Sequence, residues 1–128
     1  MQFRRLCRGA DFFYQVELPE VFFFDHPVDT VVGRASCSDY FVFGQRCTVG
    51  NNHGVCPTFG ESVFMMSDSK VISSCRIGGL VIIGANTYIK DQEIPSGSLV
   101  FGQEPGVVIK ERKFDFVMDC AREVFWYE

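Results

Sequence analysis

The chain has 128 residues, 47% of them hydrophobic and 15% aromatic, with a formal net charge of −4. That length fits a single domain, and that apolar fraction excludes a disordered chain. The acidic balance argues against nucleic acid as a partner, because neutralising phosphates takes a basic face.

The N-terminal stretch MQFRRLCRGADFF has arginines but no continuous apolar run, so it does not read as a signal peptide. Nowhere does the chain reach the ~20 apolar residues of a membrane-spanning helix. A cytoplasmic location without a membrane partner is the expectation. Within residues 1–13, Phe3, Leu6, Cys7 and Ala10 fall at helical spacing, with Arg4, Arg5 and Arg8 off that face. This predicts a short helical cap over the first strands of the chain, since exposed strands at the end of a stack invite aggregation.

Residues 14–30, YQVELPEVFFFDHPVDT, are rich in aromatic and β-branched residues and punctuated by Pro19 and Pro27. They predict strand rather than helix, in an irregular first turn. A period of six then emerges, clearest from Phe59 to Pro105: FGESVF, MMSDSK, VISSCR, IGGLVI, IGANTY, IKDQE, IPSGSL, VFGQEP. The first positions are Phe59, Met65, Val71, Ile77, Ile83 and Ile89; the fifth are Val63, Ser69, Cys75, Val81 and Thr87. Six is neither the helical period nor a plain strand alternation. It describes a short flat strand and a bend, three of which close a triangular coil. The first residue of each unit fills the axis, the second sits at a bend that suits glycine, and the fifth faces inward and is small or β-branched.

Counting back in sixes from Val49 gives Phe43, Cys37 and Val31, yet the Val-Gly pair stands at Val32–Gly33, so one side of that coil should be a residue short. After Val49 the next inward residue is Phe59, ten positions on, and the extra length predicts a protruding loop over residues 51–58, NNHGVCPT. Insertions in repeat folds often mark the binding face. Past Pro105, Phe114, Val117, Cys120, Ala121, Val124 and Phe125 follow the spacing of an amphipathic helix over residues 111–128. The expected organisation is a single domain: a cap at 1–13, the solenoid at 14–110 and the closing helix.

The six cysteines lack a CxxC pair, and Cys37, Cys47 and Cys75 fall on inward positions of the repeat, as small buried hydrophobes do. Reduced structural thiols are expected, and with only His26 and His53 as histidines, no metal site. The chemistry-bearing residues stand where the period is irregular. His26 lies at a corner beside Asp25, Glu17 precedes it by about half a coil, and His53 lies in the loop.

The hexapeptides, together with FFFDHPVDTVVG, TVGNNHGVCPTFGE, IGANTYIKDQEIP and FGQEPGVVIK, resemble the catalytic domain of serine O-acetyltransferases. These are left-handed parallel β-helix, hexapeptide-repeat acyltransferases, and the resemblance covers approximately Val16 to Lys110. It implies an all-β, left-handed parallel β-helix that transfers acetyl from acetyl-CoA to the hydroxyl of serine or a similar small acceptor. His26 matches the family's general base; Glu17, in VELP, stands nearest to its orienting carboxylate. Asp25 and His53 match acceptor-contacting positions, and Gly50, Ser67, Gly84, Ala85 and Lys90 match coenzyme-contacting ones. The resemblance further implies a homotrimer, because the coenzyme groove lies between subunits. The family's isoleucine tail is replaced by an aromatic end, Trp126–Tyr127–Glu128, which argues against a cysteine synthase complex. Two other readings compete: a sugar O- or N-acetyltransferase of polysaccharide synthesis, and a non-catalytic trimeric β-helix module. A zinc carbonic anhydrase on this scaffold would need three histidine ligands, and an ice-binding solenoid a threonine array.

Overall fold

An inward side chain at every sixth residue requires short strands separated by bends, and the chain takes that form. The computed structural model describes residues 11–13, 16–26 and 28–111. Its strands are β1 (Asp11–Phe12), β2 (Phe22–Phe24), β3 (Val31–Val32), β4 (Ser36–Cys37), β5 (Phe41–Phe43), β6 (Thr48–Gly50), β7 (Thr58–Phe59) and β8 (Val63–Met65). They continue with β9 (Lys70–Ile72), β10 (Arg76–Ile77), β11 (Val81–Ile83), β12 (Tyr88–Lys90), β13 (Glu93–Ile94), β14 (Ser98–Phe101) and β15 (Val108–Glu111).

The strands stack into three sheets. The first is β1-β3-β6-β9-β12, the second β4-β7-β10-β13, and the third β2-β5-β8-β11-β14-β15. Every pairing of these strands is parallel except β14 with β15, which closes the third sheet antiparallel. The chain visits the three sheets in turn and so winds a parallel β-solenoid of five turns, as the six-residue period requires. Where the repeat is regular, each turn takes eighteen residues, with Lys70 beside Tyr88 and Phe64 beside Ile82.

The core is the axis. Phe59, Met65, Val71, Ile77, Ile83 and Ile89 are all no more than 4% exposed, and so are Val63, Ser69, Cys75, Val81 and Thr87. In the N-terminal turns phenylalanines take the inward places. Their rings form a continuous chain of contacts, Phe22–Phe24–Phe12–Phe43–Phe41–Phe59, with centroids 4.3 to 5.8 Å apart. The buried hydroxyls in this column are bonded to nearby carbonyls, as with Ser69 Oγ donating to Met66 O at 2.7 Å.

Val31 pairs with Thr48 and Val32 with Val49, so this turn is one residue short and Val32, not Val31, points inward. Cys37, Cys47 and Cys75 are buried free thiols. Burial, with Glu17 nearby, pushes the Cys37 thiol up to about 12. The solenoid begins sooner than expected: Asp11–Phe12 pairs with β3, inside the stretch assigned to the helical cap. Residues 1–10 of that cap lie outside the described residues, as do residues 112–128 of the closing helix. The first residue assigned to that helix, Glu111, ends strand β15.

Stacked turns leave no room at some bends. A Cβ on Gly60 would stand 2.6 Å from Gly79 N, and one on Gly78 would stand 2.6 Å from Ser96 N. Other corners turn through left-handed backbone at non-glycine residues, among them Tyr40, Ser62 and Leu80 between the second and third sheets.

Candidate active site

The site residues are placed by the prism's edges. Where the third sheet hands the chain back to the first, the corner residues of successive turns align. One residue past β2, β5, β8 and β11 stand Asp25, Gly44, Met66 and Gly84; two past stand His26, Gln45, Ser67 and Ala85. Backbone bonds from Asp25 N to Phe43 O (2.8 Å), Gly44 N to Met65 O (2.9 Å) and Met66 N to Ile83 O (2.9 Å) hold the rungs together. His26, Asp25, Ser67, Gly84 and Ala85 thus share one edge. With turns spaced by ~4.8 Å, Ser67 stands two rungs, or about 10 Å, from His26.

The His26 corner is longer than its neighbours. Six residues, 25–30, join β2 to β3, whereas four join β5 to β6 and four join β8 to β9. The regular corner residue is left-handed in each turn: Asp29 (φ 56°), Arg46 (φ 52°), Asp68 (φ 61°) and Asn86 (φ 58°). His26 (φ 50°) is an additional left-handed residue in the same corner. Such backbone costs of order 1 kcal/mol or more per non-glycine residue, and it concentrates at functional positions. The extra length pushes His26 outward, and its side chain is 86% exposed. The corner is tied down beneath it. The buried Thr30 hydroxyl donates to Gly44 O at 2.6 Å, and Arg46 N donates to Val28 O at 2.8 Å.

The carboxylate beside the imidazole is Asp25, with Oδ1 3.7 Å from His26 Nε2. This is too long for a hydrogen bond but within charge-pairing range. Glu17 is elsewhere. It pairs with Ser36 at the end of the second sheet, where its Oε2 accepts a bond from Ser36 Oγ at 3.0 Å. The second sheet is the side of the triangle opposite the His26 corner, and Glu17 shares the outward column of Ser36. Within one chain the expected Glu17–His26 pair is therefore not made, because the segment between them, with β2, spans a whole side of the prism.

The remaining residues line another edge, between the first and second sheets. Gly50, Ile72 and Lys90 are in register there, at the ends of β6, β9 and β12. The inserted loop leaves this edge after Gly50. It is a tight two-residue hairpin in which Asn52 and Val55 exchange backbone bonds of 3.1 Å, with His53 (φ 52°) and Gly54 (φ 82°) at the tip. Two left-handed central residues make the turn type that matches strand twist. His53 is exposed at the tip, on a different edge from His26.

A cavity of about 290 Å³ opens beside His26. It is lined by Asp25, His26, Gln45, Met66 and Ser67 of the corner and by Phe23, Val42 and Phe64 of the third sheet. Gln45 and this apolar wall escaped the sequence reading. The signal was present: FFF (22–24) and VFM (63–65) are apolar at the outward middle position of a strand, where solvent favours polar residues. Among the described residues no cluster of His, Cys, Asp and Glu could hold a metal ion, and no helix is long and apolar enough to cross a membrane.

No family model matches the chain. It is similar to the serine acetyltransferase of Staphylococcus aureus (strain Mu50), 28% identical over 118 residues, covering 86% of this chain and 53% of the relative. The serine acetyltransferase of Staphylococcus epidermidis (strain ATCC 12228) is 27% identical over the same coverage. The chain spans about half the length of these curated relatives. Among solved structures it resembles serine acetyltransferase isoform 3 of Entamoeba histolytica in complex with cysteine, with a TM-score of 0.64 and 28% identity over 90% of this chain and 42% of that one. It also resembles the serine acetyltransferase of Brucella abortus strain S19 in complex with coenzyme A, with a TM-score of 0.71 and 19% identity over 81% of this chain and 42% of that one. The fold is thus that of serine acetyltransferases, matching the left-handed β-helix that the family resemblance implies.

Proposed function

We propose that the protein is an acyltransferase that moves acetyl from acetyl-CoA to the hydroxyl of a small acceptor such as serine, with His26 as general base. The observation that carries this reading is the alignment of His26 with Ser67 and Ala85 on one edge, in a chain similar to serine acetyltransferases. His26 takes the hydroxyl proton as the oxygen attacks the thioester carbonyl. The tetrahedral centre collapses with cleavage of the carbon–sulfur bond, and the imidazolium returns the proton to the leaving thiolate. Base catalysis of this kind contributes ~10² to 10⁴-fold. Imidazole suits the task because its ordinary pKa lies close to neutral pH.

Asp25 is the carboxylate placed to stabilise the imidazolium, or to meet a cationic or hydroxylated acceptor. The small residues Ser67, Gly84 and Ala85 leave the edge open for the extended arm of the coenzyme. Gly50, Lys90 and His53 stand on another edge bordering the same first sheet. A head-to-tail cyclic assembly sets one edge of a subunit against a different edge of the next, so a homotrimer would join the two half-sites into one groove. The test is release of free thiol from acetyl-CoA in the presence of serine, on protein whose oligomeric state is measured by light scattering. Absence of release from a trimer that binds neither acetyl-CoA nor coenzyme A would sink the reading and leave a non-catalytic module.

A further inference from the structure

The three sheets differ on their outer faces. The outward column of the second sheet is Ser36, Thr58, Arg76 and Glu93, and that of the first includes Thr48, Lys70 and Tyr88, polar side chains that are half-buried or exposed. On the third sheet the middle position of each strand gives Phe23, Val42, Phe64, Ile82 and Leu99 in register, apolar in all five turns. Within one chain Val42, Phe64 and Ile82 are only 6%, 4% and 4% exposed. Among the described residues, the partly buried hydrophobics packed against this trio are Leu80 and Leu99, which flank it. A sheet face that points away from the axis is buried to this degree only under a further layer.

We infer that residues 112–128 supply that layer, as an amphipathic helix lying across the third sheet with Phe114 on Leu99, Val117 on Ile82, Ala121 on Phe64 and Val124 on Val42. The chain reaches residue 112 on this sheet, because Lys110 pairs with Leu99 and Glu111 with Ser98. Three rung spacings of ~4.8 Å carry the column about 14 Å from Leu99 to Val42. The ten residues from Phe114 to Val124, at ~1.5 Å each, carry a helix about 15 Å, so each turn's apolar residue meets a new rung. Asp115, Asp119, Arg122 and Glu123 fall on the opposite side of such a helix, towards water. Residues 1–10 are a poorer fit, since they lead into β1, on the first sheet at the other end of the stack. The cover stops short of Phe23, which is 42% exposed and lines the cavity beside His26, so the helix shields the sheet and leaves that cavity open. This inference goes beyond the acyl-transfer reading and does not rest on it.

The experiment measures thiol labelling by an aromatic disulfide in the full chain carrying Ile82→Cys or Arg76→Cys, with the labelled peptides identified by mass spectrometry. Arg76 stands in the same turn with its side chain 79% exposed. The Ile82→Cys thiol should label at least tenfold more slowly than the Arg76→Cys thiol, because reaction waits for local opening. Adding Val117→Asp should raise the Ile82→Cys rate tenfold or more, while Glu123→Ala or Leu6→Asp leaves it within twofold. Cys47, fully buried in the axis, should stay unlabelled and so report an intact solenoid. If Val117→Asp also frees Cys47, the milder Val117→Ser replaces it and should still raise the rate threefold or more. Labelling of Ile82→Cys as fast as Arg76→Cys overturns the inference, as does slow labelling that neither substitution of Val117 relieves. Release by Leu6→Asp would assign the cover to the N-terminal residues, and release by dilution would assign it to a second copy of the chain; either result also overturns it.

Discussion

Phe43 joins the aromatic chain of the first two turns to the aliphatic axis below. Its ring is fully buried and lies 5.8 Å from Phe12, 5.5 Å from Phe24 and 4.3 Å from Phe41. Its carbonyl also accepts the amide of Asp25, the residue before His26. Phe43→Ala removes a ring that three others cannot move in to replace, and its cost should be at the full cavity-forming level of ~3–5 kcal/mol. A chain of this length has a total stability of roughly 6–19 kcal/mol, so the loss is a large fraction. A solenoid is quasi-one-dimensional, so the damage should also be local: the two N-terminal turns loosen while β11 to β14 hold. Urea unfolding measures the total, and hydrogen exchange at the Asp25 and Gly84 amides separates the two ends. Phe23→Ala, 42% exposed, is the control and should cost about 0.5 kcal/mol or less. A Phe43→Ala cost below about 1 kcal/mol, or equal loss of protection at both ends, would refute the view that this ring is the local keystone of the His26 corner.

Other consequences are as direct. His26→Asn should lower turnover by ~10² to 10⁴-fold with unfolding unchanged; activity within threefold of the parent chain would place the base elsewhere. Glu17→Gln should leave turnover within a few-fold, since Glu17 lies on the opposite sheet bonded to Ser36; a hundredfold loss would show that it reaches a site on a neighbouring subunit. Gly78→Ala sets a methyl 2.6 Å from Ser96 N and should cost about 1–3 kcal/mol, read from the urea midpoint. The Cys37 thiol, raised to about 12, stays protonated when folded. Its contribution to stability is complete below the unfolded value of 9.0 and is lost as pH rises from there towards about 12, which alkaline unfolding curves of Cys37→Ala against the parent chain would detect.

The axis of the fold was legible because burial repeats. Ile77, Ile83 and Ile89 are inward for the same reason that they stand six apart, and the short turn at Val32–Gly33 was visible as a slip in that count. The hairpin around His53 announced itself likewise, as excess length. The pairing of Glu17 with His26 did not follow, because spacing along the chain says nothing about which side of a triangle a residue faces. Glu17 lies on one side of the triangle and His26 at the corner facing that side. Gln45 was hidden for a related reason: it belongs to the site only through stacking between turns, which the linear order of FFFDH and FVFGQ does not display. The strand at Asp11–Phe12 was missed because two residues carry no period; partnership with β3 makes them a strand.

The extended corner at residues 25–30 carries two residues more than the corner below it, yet Phe24 still stacks on Phe43, and Val32 on Val49. Length added at a vertex is thus absorbed at the vertex, and the sheets on either side keep their alignment. Each rung of the edge can then be edited independently, much as a key is cut tooth by tooth on an unchanged blade. A corner lengthened by two residues at the height of Ser67 or Ala85 would present a new side chain to the same edge without moving His26.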